Sequence, residues 1–207
     1  LEETGSTFWL HGWAPAHLSE SVKKGLNSRY TIALETRPAQ SGEEYPIMFH
    51  NNPLVKPYEV IVEMFSPPST REIDPSPLLA SFFFLIFGMM LSDVGYGLML
   101  SGLCGLLIYK FKVGGEMGRM ARMLFLSGIA SILWGFVFGG YFGDMVSVLS
   151  GQRLILPAIW FNPMDDPTLL LVWSMIFGLI HIFIGMAAKA YLLFLTGQWQ
   201  DAVLDIF

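Results

Sequence analysis

Three apolar runs, residues 77–111, 120–142 and 168–195, decide what this chain can fold into. The hydrocarbon core of a bilayer takes about 20 helical residues, with about 17 as the lower limit, so the second and third runs each fit one crossing. The first is too long for one crossing and just long enough for two short ones. Its middle holds Ser92-Asp93-Val94-Gly95-Tyr96-Gly97, where a charge and two glycines supply what a tight reversal needs, and it reads as a helical hairpin. Composition agrees, with 53% hydrophobic residues and 14% charged where a soluble domain carries about a quarter. A net charge of −5 without a basic stripe argues against nucleic acid as a partner. No G-x-x-x-x-G-K-[ST] loop offers that route to ATP. The lone Cys104 rules out a disulfide framework and a cysteine-based metal site.

Charge sits at the front. Ten of the 17 acidic residues and six of the 12 basic ones precede residue 77. Within this head, residues 7–13 read as a strand ended by Pro15, residues 19–26 have helical spacing, and residues 29–35 alternate like a half-buried strand. That order predicts a βαβ unit, too small for a core of its own and so completing a sheet begun upstream. A second helix is expected over residues 53–65, and Pro67, Pro68, Pro75 and Pro77 mark a linker into the bilayer. The chain opens on Leu1 without an initiator Met or signal-peptide pattern, and it reads as an internal stretch of something longer. The expected fold is an all-α polytopic membrane bundle of about four transmembrane helices, the first two a tight hairpin, preceded by a small cytoplasmic α/β (βαβ) segment. Its parts are a cytoplasmic lobe at 1–52, a linker helix and proline-rich entry at 53–76, and a transmembrane domain at 77–207. The spans fall at about 77–93, 96–111, 120–142 and 168–195.

Loop charge orients them. The connection after the hairpin carries Lys110, Lys112, Arg119 and Arg122 against Glu116, whereas the connection at 144–167 carries Arg153 against Asp144, Asp165 and Asp166. The first connection is therefore expected to be cytoplasmic, on the same face as the head, with the chain multi-pass in the cell membrane. Tyr109, Tyr141, Trp173 and Tyr191 fall near span ends, as in an aromatic belt.

Gly135, Gly139 and Gly143 recur at every fourth position and read as a smooth packing edge on the third span. Gly88, Gly95, Gly97 and Gly178 are further packing or turn candidates. Asp93 has two readings. It either lines an ion vestibule, since a carboxylate near hydrocarbon needs water or a partner, or it caps the hairpin turn through backbone N–H groups, which is the simpler role. His181, with Lys189 two turns later on roughly the same face, either packs and snorkels or relays protons. No nucleophile triad or paired carboxylates converge, so no catalysis, cofactor or metal is expected.

The string Arg71-Glu72-Ile73-Asp74-Pro75-Ser76-Pro77, followed by residues 87–98 (FGMMLSDVGYGL), resembles the entry to the membrane domain of subunit I. That subunit is the prokaryotic counterpart of subunit a of V-type and A-type rotary ATPases. The likeness continues at residues 134–143 (WGFVFGGYFG), at residues 177–182 (FGLIHI) and upstream at residues 9–15 (WLHGWAP). Ser92 stands where Gly is usual, Ser76 where Thr is, and Tyr96 where eukaryotic relatives have His. The resemblance implies a non-catalytic stator subunit that contributes to proton or sodium translocation. Its implied partners are a rotor ring of c/K proteolipid subunits, peripheral-stalk subunits, a central-stalk socket subunit and membrane lipid. The family's essential Arg lies on a later span, and no Arg follows Arg153 here. A secondary transporter, expected to show an inverted repeat, and a non-transport scaffold with a docking head are the competing readings.

Overall fold

The computed structural model describes residues 2–4, 7–40, 43, 45, 47–65, 73–151, 157–195 and 197, which fall into two compact units. One holds the chain up to Met48, and the other runs from Phe49. The linker prolines Pro67 and Pro68, the entry residues Arg71 and Glu72, and the loop cation Arg153 lie outside the described residues.

In the first unit, β1 (Glu2–Thr4) and β2 (Thr7–Trp9) pair antiparallel, with Glu2 opposite Trp9 and Thr4 opposite Thr7. Helix α1 (Ser19–Arg29) follows, closed by the Tyr30 N–H on the Leu26 carbonyl. Residues 31–40 then form neither helix nor strand. The expected βαβ segment is therefore absent among the described residues. Its first strand shortens to three residues and pairs with a neighbour that precedes it, while the alternating stretch at 29–35 finds no partner among the described residues. Alternation marks a chain able to lie on a sheet, but ladder partners stabilise a strand, and alternation alone supplies none.

The second unit is helical. A 3-10 turn at Lys56–Tyr58 leads into α2 (Glu59–Phe65), and α3 (Ser76–Leu91), α4 (Val94–Tyr109), α5 (Gly115–Phe138), α6 (Met145–Leu149) and α7 (Pro167–Leu195) follow. Asp74 starts α3 by accepting from the Ser76 N–H at 2.8 Å. Ser92 ends α3 in the left-handed region, at φ 36° and ψ 42°. Helix α5 ends on Gly139, whose φ of 72° lets the Gly140 N–H reach back to the Gly135 carbonyl at 3.0 Å.

Among the described residues, only α5, with 24 residues, and α7, with 29, are long and apolar enough to cross a membrane, so two candidate spans replace the expected four. Helices α3 and α4 have 16 residues each and extend about 24 Å, short of a hydrocarbon core of about 30 Å. The turn between them and the caps around it take up the residues a longer span needs.

Nor do α3 and α4 form a hairpin whose arms pack on each other. Each packs on α5, and they scarcely touch one another. The cause lies in the small residues of α5. A Cβ built on Gly88 of α3 would stand 2.7 Å from the Ala130 Cβ, and one on Gly97 of α4 would stand 2.8 Å from the Gly128 carbonyl oxygen. Ala130 and Gly128 are about 200° apart around α5, so the two arms close on different sides of it.

At the other end, Tyr58 and Val60 pack with Ala80 and Met123 into a buried cluster, with the Tyr58 ring edge-on to Phe83 at 5.6 Å. Helix α7 meets the rest along one edge, through Phe82 against His181 and Trp134 against Phe177, and none of its most apolar stretch is buried.

The Ser92 conformation carries a prediction. A left-handed residue other than glycine costs roughly 1–2 kcal/mol, and glycine gives back about 0.5–1 kcal/mol in unfolded-chain entropy. Ser92→Gly should therefore stabilise the protein by about 0.5–1 kcal/mol, read as a raised unfolding midpoint in detergent. A lowered midpoint would mean that the Ser92 hydroxyl contributes more than its backbone loses.

Candidate functional site

The α3–α4 turn lies against the C-terminal end of α5 and the loop beyond it, and Asp93 joins them. Asp93 is 5% exposed. One oxygen, Oδ1, accepts from the Tyr96 N–H at 2.9 Å, capping α4, and from the Phe142 N–H at 3.0 Å. The other, Oδ2, accepts from the Gly143 N–H at 2.7 Å. Backbone and hydroxyl bonds reinforce the joint. The Val94 N–H donates to the Gly140 carbonyl at 2.9 Å, and the Ser131 hydroxyl donates to the Asp93 carbonyl at 3.1 Å. Three N–H donors on one buried carboxyl fasten two loops together, because the dipoles that point at its oxygens are fixed on both.

Glycine makes the approach close enough. A Cβ on Gly135 would overlap the Val94 nitrogen and stand 2.7 Å from the Asp93 carbonyl carbon, and one on Gly95 would enter the Phe142 ring. Gly139 and Gly143 do not continue the α5 face. Gly139 terminates the helix at positive φ, 3.1 Å from Ala158 at its Cβ position, and Gly143 turns the loop at φ 66° in open space. Gly178 on α7 also has nothing within 4 Å of its Cβ position.

His181 is half-buried and stacks on Phe82 with ring centroids 4.5 Å apart. Phe82 lies about 16 Å along α3 from the Asp93 turn, so the structure does not gather Asp93 and His181 into one constellation. Lys189 is exposed, two turns further along α7.

A second polar cluster, unmarked by any sequence motif, sits at the opposite end of α5. Arg119 forks onto Glu63, with Nη1 to Oε1 at 2.7 Å and Nη2 to Oε2 at 2.5 Å, and its Nη1 lies 3.9 Å from the Glu59 carboxylate. Glu59 is 4% exposed and accepts from the Asn51 amide at 3.0 Å, while the same amide nitrogen donates to Asp74 at 2.6 Å. This network ties α2 to the starts of α3 and α5. Sequence reading counted Arg119 as one more loop cation, and its partners lie too far off in the chain for spacing to show. The one local signal was Asp74 two residues before Ser76, a helix-start pattern.

The fork from Arg119 holds the Glu63 carboxyl below its ordinary range, against an opposing effect of burial. A lowered carboxyl pKa stabilises the fold above the unfolded value, near 4.3, and that contribution is lost as pH falls through the lowered folded value. Acidification below about pH 4 should therefore loosen α2, seen as faster amide exchange over residues 60–65 after correction for intrinsic rates. Arg119→Met should flatten that pH dependence. An unchanged profile in the variant would show that α2 is held by Tyr58 and Val60 alone. Among the described residues, no group of three or more His, Cys, Asp or Glu side chains could hold a metal ion.

A polar head unit followed in the chain by a helical unit, two of whose helices are long and apolar enough to cross a bilayer and whose α5 is fastened at both ends, is the build of a membrane-associated protein. The chain belongs to the V-type ATPase 116kDa subunit family, which it matches over residues 1–152. It is 30% identical to the A-type ATP synthase subunit I of Methanocaldococcus jannaschii over 89% of this chain and 30% of that protein. It is 29% identical to the subunit of the same name from Thermococcus kodakarensis over 99% of this chain and 32% of that one. With V-type ATP synthase subunit I 2 of Treponema pallidum it shares 32% identity over 69% of this chain and 34% of the relative. The chain thus spans about a third of the length of these relatives.

Proposed function

We propose that this chain is the head-to-membrane segment of the membrane stator subunit of a V/A-type rotary ATPase. It is non-catalytic, and it contributes to proton or sodium translocation coupled to ATP synthesis or hydrolysis elsewhere in the assembly. Its partners in this reading are the rotor ring of c/K proteolipid subunits, the peripheral-stalk subunits and the central-stalk socket subunit. Family membership over residues 1–152 carries the proposal, with relatives named as ATP synthase subunit I.

The geometry supports a particular orientation. Helix α2 is fixed by the Arg119 fork to the N-terminal end of α5, the end where Lys110, Lys112 and Arg122 also lie. Basic residues beside a span favour the cytoplasmic face. We therefore place the second unit's α2 end in the cytoplasm, with α5 crossing outward and α7 returning. Asp93 in this reading fastens the bundle, and His181 packs on Phe82.

The test uses the complete subunit. An affinity tag on it should co-isolate ring and stalk subunits, and its removal should abolish ATP-driven ion uptake by membrane vesicles. Uptake unchanged by removal would defeat the proposal. In the same vesicles, His181→Leu should lower stability by about 1 kcal/mol, the scale of a lost ring pair, and leave ion uptake intact. Loss of uptake at unchanged stability would instead put His181 on an ion path.

A further inference from the structure

We infer that the described parts of the connection between α5 and α7, residues 145–151 and 157–164, lie in the interfacial layer of the bilayer, with Leu149, Ile159, Trp160 and Met164 as lipid contacts. The inference rests on the reading of α5 and α7 as membrane-crossing helices. The described parts of this connection between Asp144 and Asp165, residues 145–151 and 157–164, contain no Asp, Glu, Lys or Arg. They nonetheless expose Leu149 at 80%, Ile159 at 77% and Met164 at 67%, with Val148 and Met145 beside Leu149 on α6. A connection in water normally turns polar groups outward, and two uncharged stretches exposing this many large apolar side chains, on either side of Arg153 in the chain, mark a binding surface or a lipid contact.

The outward side chains are held there. The Trp160 N–H donates to the Val137 carbonyl at 3.0 Å, and its ring packs 4.8 Å from Trp173 of α7 and 6.0 Å from Phe138 of α5. Phe161 adds a contact to Phe138 at 4.9 Å. The loop at Trp160 and Phe161 is thus pinned across the ends of both long helices, with Ile159 beside it 77% exposed.

Lipid is the occupant the surroundings favour. The patch continues from the ends of the two helices whose length and composition suit a bilayer, and a half-exposed Trp between them suits the headgroup level. Of the charges the connection carries, Asp144, Asp165 and Asp166 are acidic and Arg153 alone is basic, so its net charge is negative and attachment needs no anionic lipid.

The test places single spin labels at Leu149 and Ile159 of the complete subunit, its native cysteines replaced, in phosphatidylcholine vesicles. Reference labels go to Leu133 on α5 and Met175 on α7, both exposed in this structure. Oxygen should reach the labels at 149 and 159 ahead of a water-soluble nickel chelate, at a depth of roughly 5–10 Å below the headgroups. Nickel reaching them ahead of oxygen would put the connection in water and overturn the inference. Labels immobilised and reached by neither reagent would mean that protein covers the patch, which also overturns it. Nickel reaching the reference labels at 133 and 175 ahead of oxygen would instead defeat the membrane-crossing reading beneath the inference.

Discussion

Asp93→Ala is expected to destabilise the protein by about 3–5 kcal/mol, measured by denaturation of the complete subunit in detergent. Loss of a helix cap alone costs about 1 kcal/mol. Asp93 does more than cap, because its carboxylate also accepts from Phe142 and Gly143 on the loop after α5. Hydrogen bonds to a charged group contribute about 1.5–3 kcal/mol each, and alanine leaves three backbone donors at a buried site without their acceptor. Asparagine keeps the shape and one acceptor oxygen but turns an NH2 group toward an N–H donor, so Asp93→Asn should lose about half as much. The two variants therefore rank Ala below Asn below wild type. A contrary pattern, with both variants as stable as wild type while ion uptake in vesicles collapses, would make Asp93 a member of the ion path and not a fastener.

One part of this joint, the cap Asp93 gives the turn, could be read from the chain, and the reason is local, while its bonds to Phe142 and Gly143 depend on a loop far along the chain. An acid two residues before a glycine in Asp93-Val94-Gly95 offers a cap and a reversal within a few residues, and both act at short range. The apolar runs were equally legible for α5 and α7, since length and hydropathy are properties of the segment alone. What failed depended on partners. The alternation at 29–35 described a surface able to join a sheet, but no strand among the described residues pairs with it. The run at 77–111 contained enough residues for two spans only if turn and caps took none, and Ser92 and Asp93 took theirs.

Pairing also hid the second cluster. Asn51, Glu59, Glu63, Asp74 and Arg119 meet because α2 folds back on the starts of α3 and α5. A charge count sees Arg119 as one more cation on a loop, while the structure finds it forked onto an acid far back in the chain. The spacing of Gly135, Gly139 and Gly143 misled for a related reason. A four-residue repeat implies one face only while the helix lasts, and α5 stops at Phe138, where positive φ makes Gly139 a terminator.

Gly135→Ala should be nearly as damaging as the loss of Asp93, at about 3 kcal/mol. Added atoms in a packed interior usually cost about 1–3 kcal/mol, and the upper end applies when the obstruction cannot move. Here the new Cβ meets the Val94 nitrogen and the Asp93 carbonyl carbon, which are backbone atoms of a turn already fastened by the Asp93 carboxylate and by the Val94 N–H on Gly140. Relief requires α4 to back away from α5, which would break those bonds. Gly102→Ala and Gly178→Ala provide the contrast, since nothing lies within 4 Å of either Cβ position. Both should be neutral or stabilising by up to about 1 kcal/mol through the better helix propensity of alanine. Because Gly135 and Asp93 act on the same turn, the double variant Gly135→Ala/Asp93→Ala should lose less than the two single losses combined, by about 1 kcal/mol or more. Strict additivity would show that the two residues hold separate parts of the bundle, and tolerance of Gly135→Ala alone would mean that α4 does not approach α5 as closely as the Gly135–Val94 contact requires.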